Sequence, residues 1–106
     1  MFNSIKKLLG LAPKTDYAEL MNEGALIVDV RSHGEFAGGH IEGSINIPVD
    51  KLKANLNKLN KDKSKPIITC CASGIRSASA KSILKANGYT DVYNGGSWRG
   101  LRNKIG

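Results

Sequence analysis

The sequence predicts an α/β protein in which a central, mainly parallel sheet carries helices on both faces. Two observations predict it. Short apolar runs bounded by turn signals alternate with helical stretches. At least one of those runs is apolar without alternation, as in a strand buried on both sides. A third observation marks the working end. The stretch CCASGIRS, Cys70 to Ser77, lies between such a strand and a helix, and in open parallel sheets ligands gather beyond the carboxyl ends of the strands.

Pro13 closes a first segment, so residues 1–14 read as an N-terminal arm and 15–106 as the domain. Within the arm, Phe2, Ile5, Leu8 and Leu9 fall at helical spacing with Lys6 and Lys7 off that stripe. This is the pattern of a short amphipathic helix that packs on the domain or touches a membrane surface. Its apolar run is shorter than the ~7–15 residues of a secretory core. No stretch reaches the ~20 apolar residues of a membrane span.

TDYAELMNEG (15–24) reads as a two-turn helix, with Asp16 and Glu19 spaced as a capping box and Gly24 as the stop. ALIVDV (25–30) is the strand buried on both faces. Ser32 and Glu35 repeat the capping-box spacing and start a short helix in RSHGEF. SINIP (44–48) is a short strand that stops at Pro48. Val49, Leu52, Leu56 and Leu59 recur at helical intervals, which predicts an amphipathic helix with a wet basic face. KDKSKP is a polar connection, and PIITC (66–70) is the next strand, with Pro66 suited to its first position. Beyond the CCASGIRS loop, Ala80, Ile83 and Leu84 mark one face of a helix that Asn87–Gly88 ends. TDVYN (90–94) gives a last strand before a Gly95–Gly96 turn.

The bulk numbers bound the function. A chain of 106 residues, 41% hydrophobic and 24% charged, is one ordinary globular domain by prior and can bury a core without staples. Its two cysteines are adjacent, so a bridge between them would close no useful loop. The chain therefore reads as one that keeps reduced thiols, in the cytoplasm. The net charge of +7 fits anionic partners. The lysines concentrate at Lys6–Lys7 and from Lys51 to Lys65, including Lys53, Lys58, Lys61 and Lys63. Aromatic residues do not interleave with them, so no stacking platform for bases is visible. A solvated lysine face is the expectation, and no nucleic-acid partner is expected.

The loop carries the chemistry. A strand delivers a thiol, and the chain then curls into a helix whose first N–H groups have no internal partner. Those groups and the helix dipole favour an anion at the loop centre. Ala72, Ser73 and Gly74 are small enough for a tight ring, and Gly74 allows a left-handed residue within it. Arg76 adds a charge that does not titrate. A cysteine in that field ionises more readily than a free one. Alternation along the strand places Cys70 toward the core if Cys71 faces the loop; Cys70 is read as structural, with a resolving or redox role as the alternative. His33 and His40 have no cysteine or carboxylate cluster around them, so no metal site is expected.

With these residues in view, the chain resembles the rhodanese-like, single-domain sulfurtransferase family over residues 15 to 99. LIVDVRSHGEFAGGHIEGSINIP (26–48) is similar to the family's first signature, with Asp29, Arg31, Glu35, Phe36 and His40 in place. IITCCASGIRSASAKSILKANGYTDVYNGG (67–96) is similar to its second, with a Cys-x4-Arg loop and a terminal Gly-Gly. The resemblance implies a three-layer fold and a transfer reaction through a Cys71 persulfide. Ala72, Ser73, Gly74, Ile75 and Arg76 would form the loop that holds the persulfide, with Arg76 also helping to hold an anionic donor. Asp29, Arg31, His40 and Ser77 would be supporting scaffold, with His40 fixing a turn by hydrogen bonding. The implied partners are a small anionic sulfur donor, thiosulfate by default, and a thiol, protein or cyanide acceptor. No cofactor is implied. Two departures stand out. Trp98 follows Gly96 after a single serine, earlier than in the family, and ASGI carries no charge before Arg76. Phosphatases that resemble this fold use a Cys-x5-Arg loop. The four-residue spacing here suits one sulfur atom better than a tetrahedral phosphate. The rival readings are a sulfur-carrier or protein-binding module of the same fold, and a basic protein that binds polyanions or membrane surfaces.

Overall fold

A computed structural model of the protein describes residues 14–106. The expected amphipathic helix of the arm lies outside the described residues. Helix α1 (Tyr17–Asn22) starts where Asp16 accepts a hydrogen bond from the Glu19 amide at 3.0 Å. Strand β1 (Leu26–Asp29) leads to helix α2 (His33–Ala37). The α2 capping box forms in full: the Ser32 side chain accepts from the Glu35 amide, and the Glu35 carboxylate accepts from the Ser32 amide. Strand β2 (Ile45–Asn46), strand β3 (Ile67–Cys71), helix α3 (Ile75–Ala86), strand β4 (Val92–Ser97) and helix α4 (Trp98–Ile105) follow.

The four strands pair in parallel in the order β2-β1-β3-β4. Val28 sits beside Thr69 and Asp29 beside Cys70 in the central pair. Both faces of the sheet are covered. Val28, Val30, Ile67 and Cys71 pack with Ala80 and Leu84 of α3 on one side. Ile27, Ile68 and Cys70 pack with Leu20 of α1 and with Trp98 and Leu101 of α4 on the other. This is why ALIVDV and IITCC show no polar alternation: every side chain meets a helix layer. Among the described residues no helix is long and apolar enough to cross a membrane.

The structure corrects the sequence reading at four places. The amphipathic α-helix expected from Val49 to Leu59 is two 3-10 segments, Val49–Lys51 and Lys53–Lys58, with non-helical angles at Asn55 (φ −124°, ψ 24°). The Asn55 side-chain amide donates to the Lys51 carbonyl at 2.8 Å, taking the acceptor that an α-helical amide would use. Leu52 and Leu59 are nevertheless buried, because three-residue spacing stacks side chains on one face of a 3-10 turn as well. The strand expected over SINIP reduces to two residues. The strand expected to stop before Gly95 runs on to Ser97, and its register against β3 slips between Thr69 and Cys71. The glycines are thus a bulge inside the strand and not a turn after it. Finally, α4 was not expected. Its signals were present: Ser97 caps it by accepting from the Gly100 amide at 3.2 Å, and Trp98, Leu101 and Ile105 fall on one face.

Candidate active site

The carboxyl ends of β1, β3 and β4 meet the first turns of α2, α3 and α4 at one edge of the sheet. Cys71 ends β3 with its side chain on the α3 face, and Cys70 points to the opposite face, as alternation requires. The Gly74 amide donates to Cys71 Sγ at 2.9 Å, and the Ser73 and Ser77 amides lie near enough to favour the anionic form of that sulfur. Gly74 makes this possible with φ +101°, a left-handed angle that turns its N–H inward. The Cys71 thiol donates to Ser77 Oγ at 3.5 Å. Ser77 in turn donates to Asn94 Oδ1 at 2.6 Å, which also accepts from the Gly96 amide at 3.0 Å. Asn94 Nδ2 donates to the Gly74 carbonyl at 3.2 Å. The β4 bulge therefore holds both the loop and the hydroxyl beside the sulfur.

The two thiols differ in consequence. Burial raises the Cys71 thiol, but the Ser77 hydroxyl, which accepts from the neutral thiol and can turn its proton to the thiolate, and the Ser77, Gly74 and Ser73 amides outweigh it and bring the group below its ordinary value. Burial, and then the Asp29 carboxylate, push Cys70 up to about 12, which keeps that thiol protonated near neutral pH. Both sulfurs are fully covered in this state. Ala72 and Ser73, which follow Cys71, are exposed.

Ser77→Ala removes the side-chain hydrogen bond to the sulfur and leaves the amides. The thiolate titration of Cys71 should move to higher pH by about half a unit to one unit. Ultraviolet thiolate absorbance against pH reads it, with Cys70 silent over the same range. No movement would remove Ser77 from the account.

The remaining expected residues are placed as follows. Arg31 is buried and grips Asp29 with Nη2 at 2.7 Å and Nε at 2.9 Å, and its Nη2 also donates to the Gly39 carbonyl at 2.7 Å. This ties the β1 end to the loop after α2. His40 Nδ1 donates to the Phe36 carbonyl at 2.8 Å, and its ring stacks on Phe36. His33 Nδ1 donates to Asn46 Oδ1 at 2.6 Å. Among the described residues no three His, Cys, Asp or Glu side chains cluster as a metal site would need. Ile75 begins α3 with its side chain exposed. Arg76 makes a bidentate pair with Glu35 at 2.7 and 3.0 Å. The expectation that Arg76 helps hold a donor meets a guanidinium already committed to a carboxylate. Glu35 was read from the sequence as a cap and a signature residue only. The sequence separation of 41 residues from Arg76 hid the pair, as the distance to β4 hid Asn94.

Arg76 and the Ser32 cap hold the Glu35 carboxyl down to about 2. A depressed carboxyl contributes stability that is complete above its ordinary value, near 4.5, and is lost as pH falls toward about 2. Glu35→Gln should flatten this acid limb in thermal unfolding midpoints taken across pH 2–6. An unchanged limb would place the acid sensitivity elsewhere.

A pocket of about 500 Å³ opens beside the loop, lined by Arg31, Glu35, Ala72, Ser97, Trp98 and Arg99 together with glycines 34, 38 and 39. These features define a class: parallel α/β proteins with a thiol at the end of a central strand, the first turn of a helix beside it and a pocket next to the loop. The chain belongs to the rhodanese-like domain family, whose model matches residues 13–103. It is 30% identical to the human single-domain sulfurtransferase TSTD1, with a TM-score of 0.66, covering 81% of this chain and 88% of that one. It is 43% identical over 70 residues to the uncharacterized protein YqhL of Bacillus subtilis, covering 66% of this chain and 54% of the relative. It is 36% identical over 81 residues to the tRNA uridine(34) hydroxylase of Erwinia tasmaniensis, covering 73% of this chain but 23% of that protein. The hydroxylase name describes a whole protein of which this chain matches that fraction.

Proposed function

We propose that the protein is a sulfurtransferase of the thiosulfate type, with Cys71 as its nucleophile. The observation that carries the reading is the Gly74 amide donating to Cys71 Sγ at 2.9 Å where β3 ends and α3 begins, with the Ser73 and Ser77 amides also favouring the thiolate. Such fixed donors favour the anionic sulfur over the neutral one. In the first half-reaction the thiolate attacks the outer sulfur of thiosulfate. A new S–S bond forms to Cys71, the old one breaks, and sulfite leaves with its electron pair. The product is a Cys71 persulfide whose terminal sulfur keeps the negative charge. In the second half-reaction a thiolate or cyanide attacks that terminal sulfur and the Cys71 thiolate is regenerated. The reaction needs no cofactor. The catalytic unit is residues 15–106, with the arm at 1–14 appended to it. Both cysteines are free, which suits a reducing compartment such as the cytoplasm.

The test is intact mass after exposure to thiosulfate. Gain of one sulfur atom, lost on reduction, supports the reading, and no gain across thiosulfate and other sulfane donors rejects it. The complete burial of Cys71 favours a second reading, a sulfur carrier without fast turnover. That reading gives the same loading but negligible steady-state production of thiocyanate from thiosulfate and cyanide.

A further inference from the structure

We propose that Arg99, at the start of α4, is the cation that recognises the anionic head of the sulfur donor and sets the site's preference among donors. The inference rests on the sulfurtransferase reading and names the part of the site that reads charge.

Three guanidinium groups line this pocket or pair with a residue that does. Arg31 is neutralised by Asp29, whose carboxylate it grips through two nitrogens. Arg76 is neutralised by the bidentate contact with Glu35. Arg99 lines the same pocket and has no carboxylate or hydrogen-bond acceptor among the described residues. It is the pocket's uncompensated positive charge. Its side chain is exposed, so the fold does not depend on it: Trp98 and Leu101 anchor α4, both buried.

Arg99 is nevertheless held in place. Its guanidinium lies 5.1 Å from the centroid of the Trp98 ring. Arg31 and Arg102 lie 4.7 and 4.9 Å from the same ring. An indole face attracts a guanidinium; of the two arginines of α4 that meet it, Arg99 lines the pocket and Arg102 does not. The loop itself brings no charge, since Ala72, Ser73, Gly74 and Ile75 are all neutral. A donor such as thiosulfate carries two negative charges, and its sulfite leaving group carries two as well. A single fixed cation beside the lip of the loop serves both.

The experiment has two arms. In the first, Arg99→Ala, Arg99→Lys and Arg102→Ala are assayed with thiosulfate, a dianion, and with methanethiosulfonate, a monoanion that delivers the same outer sulfur and releases a sulfinate. Arg99→Ala should raise the KM for thiosulfate about tenfold and that for methanethiosulfonate about threefold, with kcat within about twofold. Arg99→Lys should recover most of the loss. Arg102→Ala, outside the pocket, should leave both donors within about twofold.

The second arm reads binding without chemistry. Trp98 is the only tryptophan of the chain, so its fluorescence reports the pocket in a Cys71→Ser background. Thiosulfate should perturb that emission saturably, and adding Arg99→Ala should weaken binding about tenfold. Equal thiosulfate affinity with and without Arg99, or an equal loss for both donors, overturns the proposal. If the wild type fails to load sulfur while Arg99 still governs thiosulfate binding, the transfer reaction falls and the anion subsite stands.

Discussion

Cys71→Ser is expected to abolish sulfur uptake from thiosulfate while leaving the fold intact. Serine fits the space of the buried thiol, and its Oγ can still accept from the Gly74 amide that now reaches the sulfur at 2.9 Å. What disappears is the nucleophile: a hydroxyl in this field stays protonated near neutral pH, whereas the Cys71 thiol, held below its ordinary value, ionises more readily. Turnover should fall by at least about a thousandfold, as when the nucleophile of a covalent mechanism is removed. Cys70→Ser is the informative contrast. Cys70 is fully buried among Ile27, Ile68 and Leu101 on the far face, so the change places a hydroxyl in an apolar layer. It should cost about 1–3 kcal/mol of stability yet leave sulfur loading in place. Loading that survives Cys71→Ser and vanishes in Cys70→Ser would reverse the assignment of the two neighbours.

Gly95→Ala is expected to cause the largest loss of stability of any single-methyl addition to the strands. A Cβ at this position would stand 2.8 Å from Ile68 Cγ2, 2.9 Å from Leu101 Cδ2 and 2.9 Å from the Thr69 carbonyl oxygen. The last of these is backbone in the central sheet and does not yield. The change should cost about 1–3 kcal/mol, a large share of the ~5–15 kcal/mol that holds a domain folded. It should also impair sulfur loading in the fraction that remains folded, because Asn94 is the adjacent residue and anchors both Ser77 and the Gly74 carbonyl. Gly34→Ala, in α2, meets nothing within 4 Å and should be neutral or stabilising by up to about 1 kcal/mol. Urea unfolding of the two variants decides the matter. Similar midpoints for both would mean that the bulge is not the close approach described.

These two positions also show what the chain discloses before it is folded. The buried strands were legible because burial on both faces leaves an unbroken apolar run. The α2 start was legible because a Ser32–Glu35 capping box is a local contact. The passage from strand to helix between Cys71 and Arg76 was legible because its signals are contiguous. Features that join distant segments were not. Nothing near Asn94 announces that its amide links β4 to the loop, and nothing near Arg76 announces Glu35. The Gly95–Gly96 pair signals a turn equally well as a bulge, and only the proximity of Ile68 and Leu101 separates the two. The 3-10 segments were misread because their leucine spacing satisfies two helix types, and the decision rests on one side chain, Asn55.

The most direct test of the central claim is the thiolate titration of Cys71 in the Cys70→Ser protein, followed by ultraviolet absorbance from acid to alkaline pH. The ring of amides predicts a midpoint below the ordinary thiol value of about 8.5. A midpoint at or above that value would mean that burial outweighs the amides, and that the loop does not hold an anionic sulfur.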